Sequence, residues 1–396
     1  MGATLATLDA ITKEVYEEPL REQLNNDTPL LSRVEKTSRG TSNEVGGRYV
    51  TFPIHTKRNS GIGARAEMGQ LPTPGQQGTA AARVSLAYLY GGVQLTGQAI
   101  SLIDKNYQAF ASAMELELNG LRTDLKVDLN RQVWGDGKGT IGKVTSVVTS
   151  TTIPVDRPEL FQLDEIVDYC LAAGTVSQAG RTITAIDTVN KTVTVSGANI
   201  GPTVVGDFFV RTGNLNNEWI GLTKIIANSG TLYNVDPNTV PVWKSVINTN
   251  GGTPTAISEG MLTKMVDDIH AQGGKTTVIA TSLGVRRAYA NLLQNQRQYV
   301  NKTEFTGGFS GLSFVTDSGE IPIFGDYMAT PSQASFINED SLKYYRESDW
   351  GFMDMDGSKW QRVIGYDAYQ AMMVQYSQLG IDRRNSFGQI TNIIEE

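Results

Sequence analysis

IPIFGDYMATPSQASFINEDSLKYY, residues 321–345, holds three short β runs and the turn chemistry between them. An apolar run around Pro322 leads through Asp326 and Pro331 to ASFIN. A second turn then opens onto LKYYR. β-Branched and aromatic runs bounded by Gly, Pro, Asn, Asp and Ser read as strands. Toward the N-terminus, helix and strand alternate. Residues 257–272 carry apolar side chains at 257, 261, 262, 265, 266 and 269 and stop at Gly273 and Gly274, a helix with a glycine cap. Residues 276–280 read as a buried strand, 284–298 as a second amphipathic helix, 301–311 as a polar, glycine-rich loop and SFVTD as a further strand. On the C-terminal side, residues 360–379 carry β runs in which apolar and polar residues partly alternate. This order predicts an α+β fold.

Residues 144–210 differ. TSVVTSTTIPV, RTITAID, KTVTVSG and GDFFVRTG are short β runs separated by turns, the pattern of a small antiparallel barrel or sandwich. Within them, residues 163–171 fit either a short helix ending at Gly174 or a strand; we read a strand. A polar connector with Asn234, Pro237, Pro241, Gly251 and Gly252 follows. The longest element lies earlier. Ile103, Tyr107, Phe110, Met114, Leu118, Leu121, Leu125, Leu129 and Val133 recur at steps of three and four, which predicts a helix over residues 101–134. At about 1.5 Å per residue it approaches 50 Å. Gly120 inside it costs about 1 kcal/mol relative to alanine, and GDGKG at 135–139 ends it.

Residues 5–24 place Leu5, Leu8, Ile11, Val15, Pro19 and Leu20 at roughly helical spacing, whereas 25–47 turn to Thr, Ser, Asn, Arg and Gly, an extended arm with little core. RYVTFPI at 48–54 and RVSLAYLYGGVQLT at 83–96 read as strands. The Gly- and Pro-rich stretch between them is longer than loops inside compact domains, so a long hairpin projecting from the body is expected. Such a hairpin buries little against its own chain and is either mobile or packed on another subunit.

The 396 residues suffice for two to four folding units, and 40% apolar content with 41 glycines is globular rather than disordered. No apolar run reaches 18 residues, so no membrane span is expected. The N-terminus lacks a basic start followed by an apolar block, and the product is expected to remain in the cytoplasm. Net charge is −7, the wrong sign for a freestanding nucleic-acid binder. Its distribution is uneven. Residues 31–66 carry Arg33, Lys36, Arg39, Arg48, Lys57, Arg58 and Arg65 against Glu35 and Glu44, a balance of +5, while residues 1–30 carry −4. Arg286, Arg287, Arg297 and Lys302 precede an acidic group, Glu339, Asp340, Glu347, Asp349, Asp354 and Asp356. The segregation is either that of solvated faces or of surfaces that complement one another between copies.

No motif carries chemistry. One cysteine, Cys170, excludes an internal disulfide, and His55 and His270 are far apart, so Cys/His zinc sites are excluded. GGKTT at 273–277 has Ile269 where a phosphate loop needs glycine and lies between helix and strand in the wrong order. GIGARA at 61–66 is followed by no helix, and DMDG at 354–357 lacks the other acids of a calcium loop. No catalytic residue, cofactor site or metal site is assigned.

Taken in order, the pieces resemble the major capsid proteins of tailed double-stranded DNA bacteriophages, the HK97-like fold. Residues 321–345 carry the most specific match, with Pro322, Asp326, Pro331 and the FINEDSL of 336–342 in the family's order. IATSLGVRRAYANLL resembles the two-helix unit of the axial A domain, and QLGIDRRNSFGQITNI is similar to the strand returning to the P domain. The resemblance implies an N-terminal arm at 1–47, an extended E-loop hairpin at 48–96 and a P domain with its spine helix at 97–143. It further implies an inserted β module at 144–213, a connector at 214–256, an A domain at 257–345 and its end with return strands at 346–396. The implied function is structural: hexamers and pentamers of an icosahedral head enclosing double-stranded DNA bound without sequence specificity. Inter-subunit contacts are expected from Arg33, Lys36, Arg39, Arg48, Lys57, Arg58 and Arg65. A capsomer-axis loop is expected around Asn301, Lys302, Gly307, Gly308 and Gly311. A scaffolding protein, a portal and a decoration protein are implied partners, and assembly in the host cytoplasm is implied. Some relatives form a lysine–asparagine cross-link; Lys57 is the hairpin's lysine, but no partner asparagine or glutamate is matched, so that chemistry is not carried over. Two other readings are an encapsulin-type compartment shell and a β-rich phage tail or binding protein built around 144–213.

Overall fold

The structure, a computed structural model, describes residues 27–38, 49–96, 107–294, 312–316, 319–347, 349–354 and 361–395. The expected helix at 5–24 lies outside them. The first element is helix α1 (Pro29–Ser38), where an extended arm was expected. Proline at its first position is preset for a helix, and Leu30, Leu31 and Val34 fall on one face and are buried in the main core. The apolar triplet that looked too sparse for a core is therefore a helix anchor.

Strands β1 (Tyr49–Lys57) and β2 (Gly78–Ser85) pair antiparallel as the expected hairpin, joined by residues 58–77 without helix or strand. The run 83–96 is not one strand. It breaks at Leu86, and β3 (Ala87–Thr96) leaves the hairpin to pair with a strand from the far end of the chain.

Helix α2 (Tyr107–Trp134) is unbroken through Gly120, where an added Cβ would meet nothing within 4 Å. Its 28 residues span roughly 42 Å at 1.5 Å per residue. Gly137 and Gly139, at φ +84 and +86°, turn the chain into β4 (Thr140–Lys143).

The β module follows: β5 (Thr152–Pro154), β6 (Ile166–Cys170), β7 (Val176–Asp187), β8 (Thr192–Val195) and β9 (Phe208–Arg211). Residues 163–171 thus contain a strand, as read. With β4 they form a six-stranded sheet of order β4-β9-β6-β7-β8-β5, and the bridge Val144–Val155 joins its outer strands, closing it toward a barrel. Ile141 belongs to its core beside Ile153, Val167 and Phe209. The module therefore begins at Thr140, four residues before the expected 144.

The connector is not a passive link, since Trp219, Leu222, Ile225 and Trp243 enter the main core. Strand β10 (Val246–Asn248), helix α3 (Glu259–Ala271), β11 (Val278–Thr281), helix α4 (Leu283–Gln294), β12 (Leu312–Thr316), β13 (Gly319–Gly325) and β14 (Ala334–Ile337) build a second layer. Ser258 caps α3 by accepting from the Met261 N–H. Next come β15 (Leu342–Arg346), β16 (Gly351–Phe352), β17 (Gln361–Arg362), β18 (Ala368–Ile381) and β19 (Gly388–Ile390). The mixed six-stranded sheet has order β10-β19-β14-β11-β13-β12, with a core of its own around Leu262, Ile279, Tyr289 and Phe336. The chain's end therefore closes the helix–strand unit, whereas β15 leaves that unit for β18. β15, expected within 257–345, thus falls on the other side of the expected division. β18, 14 residues long, pairs with β3 on one edge and with β15, β16 and β17 on the other.

Candidate assembly surfaces

The hairpin is anchored at its root and exposed beyond it. Ile54, Ala82 and Val84 enter the main core, whereas Ile62, Met68 and Leu71 near the tip are 85, 102 and 81% exposed. Residues 58–77 are nevertheless built. Asn59 Oδ1 accepts from the Gly61 N–H at 2.7 Å, and a Cβ on Gly61 would lie 2.8 Å from Gly75 N and Thr73 O, so the two limbs touch backbone to backbone. Arg65 donates to the carbonyls of Gln70 and Ala64 at 2.7 and 2.9 Å, which fixes its direction within the loop.

Lys57 and Arg58 are exposed and have no ion-pair partner among the described residues. Arg33 is occupied by its own chain: it pairs with Glu339 at 2.8 Å and lies over the Phe324 ring at 5.1 Å. Lys36 lies in α1. Arg39, Arg48, Asn301, Lys302, Gly307, Gly308 and Gly311 lie outside the described residues. Of the acidic group, Asp340, Glu347, Asp349 and Asp354 are exposed, and Asp349 pairs with Arg346.

A cleft of about 1220 Å³ runs between α2, β3 and the module. Its floor is a charge network that pins the module to the helix. Asp128 accepts from Arg131 at 2.9 Å and from Arg211 at 2.5 Å; Arg211 also pairs with Glu165, and Arg131 with Glu218. Burial alone raises the Asp128 pKa, but the two guanidiniums more than reverse this and hold it well below the carboxylate range. Arg157 adds a second tie, donating to the carbonyls of Met328 and Tyr327 at 2.7 and 2.8 Å.

Asp326, read from the sequence only as a turn and family-match position, is buried and accepts from Trp134 Nε1 at 2.9 Å, Asn130 Nδ2 at 3.1 Å and the Met328 N–H at 2.8 Å. Burial raises its pKa, partly offset by these donors. Asn130 also accepts from the Leu31 N–H at 3.2 Å, so one asparagine ties α1, α2 and this aspartate together. The signal was the "GD" after an apolar strand, but nothing in it marks a long-range acceptor.

No group of three His, Cys, Asp or Glu that could hold a metal occurs among the described residues. Cys170 is buried, and burial, aided by Asp168, pushes its thiol up to about 11. No helix is long and apolar enough to cross a membrane among the described residues.

Residues 175–393 match the family model of the SU10 major capsid protein. No curated protein matches the chain by sequence. Among solved structures, the fold is similar to the cyanophage A-1(L) capsid asymmetric unit, with a TM-score of 0.63 and 14% identity over 99% of each chain. It is also similar to a chain of Mycobacterium phage Bobi (TM-score 0.50, 10% identity, 100% of each chain). A third is the capsid of an empty GTA particle (TM-score 0.51, 7% identity, 99% of each chain).

Proposed function

The chain belongs to the SU10 major capsid protein family, and from that premise we propose that its copies assemble as pentamers and hexamers of an icosahedral head around double-stranded DNA. Its role is structural, and its place is the virion capsid; the compartment-shell and tail-protein readings are not favoured. In the proposed HK97-like layout, residues 1–47 are the arm, the hairpin of β1 and β2 is the E-loop, α2 is the spine and the α3–α4 unit is axial. The α–β boundaries follow the sheets described above rather than the linear division at 345.

The observation that carries the assembly reading is the hairpin, whose loop is folded yet leaves its apolar tip exposed among the described residues. Exposed apolar residues on a structured projection mark a contact surface. Lys57 and Arg58 beside them favour an acidic surface of an adjacent copy, such as that around Asp340, Glu347 and Asp354. An acidic chain of net charge −7 suits weak, sequence-independent contact with the packaged DNA. A scaffolding protein, a portal, a decoration protein and assembly in the bacterial cytoplasm complete the proposal.

Changing Lys57→Glu and Arg58→Glu together should leave the thermal midpoint of the subunit unchanged and abolish or deform shells seen by negative-stain microscopy and mass photometry. Normal particles from the double variant would remove these two residues from the contact.

A further inference from the structure

Three loops at one end of the β module carry apolar residues where exposed turns are normally polar. TSVVT at 145–149, LAAGTV at 171–176 and PTVVG at 202–206 contain no charged residue. Val147, Leu171, Val176, Val204 and Val205 are 64, 40, 43, 55 and 60% exposed. They make one surface rather than scattered positions. The buried carboxylate of Asp207 gathers two of the loops, accepting from the Ala172 N–H at 2.8 Å, the Val204 N–H at 2.7 Å and the Tyr169 hydroxyl. A Cβ on Gly206 would lie 4.0 Å from that of Ala172. Thr203 joins the third loop to them: its N–H donates to Val148 O and its hydroxyl accepts from the Val148 N–H, both at 2.9 Å. The same hydroxyl donates to Ser146 O at 3.0 Å.

The loops are therefore fixed relative to one another, and the ties of Arg211 and Arg157 fix the module relative to the body. A contiguous exposed apolar surface marks a contact site, and loops already ordered lose little entropy when the contact forms. The absence of charge decides what covers it. Two copies of a chain with net charge −7 repel one another across most of their surfaces. A neutral apolar patch does not, and it is complementary to itself across a two-fold axis. Its size agrees. Five partly exposed side chains offer a few hundred Å², below the roughly 800 Å² per partner of a stable pair. Such a contact does not hold two free subunits together and adds up only where many copies are already held in place.

We propose that this apolar end of the β module meets the same end of a second copy across a two-fold axis between neighbouring subunits of the shell. The inference rests on the assembly reading above and gives the module a place in it. Valine and leucine side chains of the two copies interdigitate and leave water together, and no charge is buried in doing so. Asp207 stays within its own chain, where its two oxygens hold the loops in the shape that the partner meets.

Single cysteines test the axis directly, because a residue near a two-fold meets itself and the natural Cys170 is buried. Val147→Cys, Leu171→Cys and Val205→Cys are made separately in the full chain. At least one should give disulfide-linked dimers in most subunits of oxidised shells and none in unassembled subunits under the same oxidant. Shells without dimers from all three variants overturn the contact. Val204→Asp with Val205→Asp should leave the thermal midpoint of the subunit unchanged, since both side chains face solvent, and cut the yield of closed shells at least tenfold. A full yield from this variant, while Lys57→Glu with Arg58→Glu still blocks assembly, overturns the contact and leaves the assembly reading standing. No shells from the unaltered chain would overturn both. Shells of the aspartate variant that form normally but lose an accessory head protein give the patch to that partner and likewise overturn the self-contact.

Discussion

Arg384 is fully buried, yet no carboxylate pairs with it among the described residues. Its guanidinium donates instead to the carbonyls of Ile225 at 2.9 Å, Lys224 and Gly230 at 3.3 Å, and Ser229 and Trp243 at 3.4 Å. The side chain gathers the whole connector onto the chain's last turn. Burial lowers its pKa to about 10, with Tyr233 opposing, so it stays charged at neutral pH. Arg384→Met leaves these carbonyls without their donor and should cost about 3 kcal/mol, read as a lower urea midpoint. Arg384→Lys should recover little, because an ammonium cannot span a fan of five acceptors. In the sequence this arginine stands in IDRRNS beside Arg383, which is exposed, and nothing local tells the two apart.

The long helix α2 was legible from its period, including its glycine-run end, because burial on one face repeats every three or four residues. Its role as a docking rail was not. Asp128 and Arg131 look like an ordinary helical pair, and only the approach of β9 brings Arg211 to complete the network. The folded-state pKa of Asp128 is depressed, so its contribution is whole above the ordinary carboxylate range and is lost as pH falls toward the folded value. Asp128→Asn leaves the buried Arg131 and the half-buried Arg211 short of a counter-charge and should cost about 3 kcal/mol at pH 7. The same variant should flatten the acid limb of the stability profile, measured by urea titration at neutral and acid pH. The strand at residues 166–170 was legible, but its neighbours β9 and β7 were fixed by register, which a single run does not encode.

Two large cores and the module core stabilise the subunit, and tyrosines are buried in more than one of them. Burial pushes Tyr289 in the α3–α4 core, Tyr344 in the main core and Tyr327 beside it up to about 12. Their folded pKa is raised, so the unfolded chain loses phenolic protons first. The stabilisation is whole below pH 10 and is lost as pH climbs toward 12. Each should cost about 1.4 kcal/mol by pH 11, so guanidinium titrations at pH 9 and 11 should show a steep loss with phenolate absorbance appearing on unfolding. A loss absent at pH 11 would mean that these rings are accessible in the native subunit.

Element type, order and the projecting hairpin follow from local patterning, because hydrophobic period, turn residues and glycine caps act over a few positions. So does the family resemblance, which rests on the order of those elements around residues 321–345. The break at Leu86, the return of β19 into the α3–α4 sheet, the inward turn of Arg33 and the burial of Arg384 do not. Each depends on which distant backbone or side chain arrives to satisfy a buried donor, acceptor or charge, and that choice is made only when the chain closes on itself.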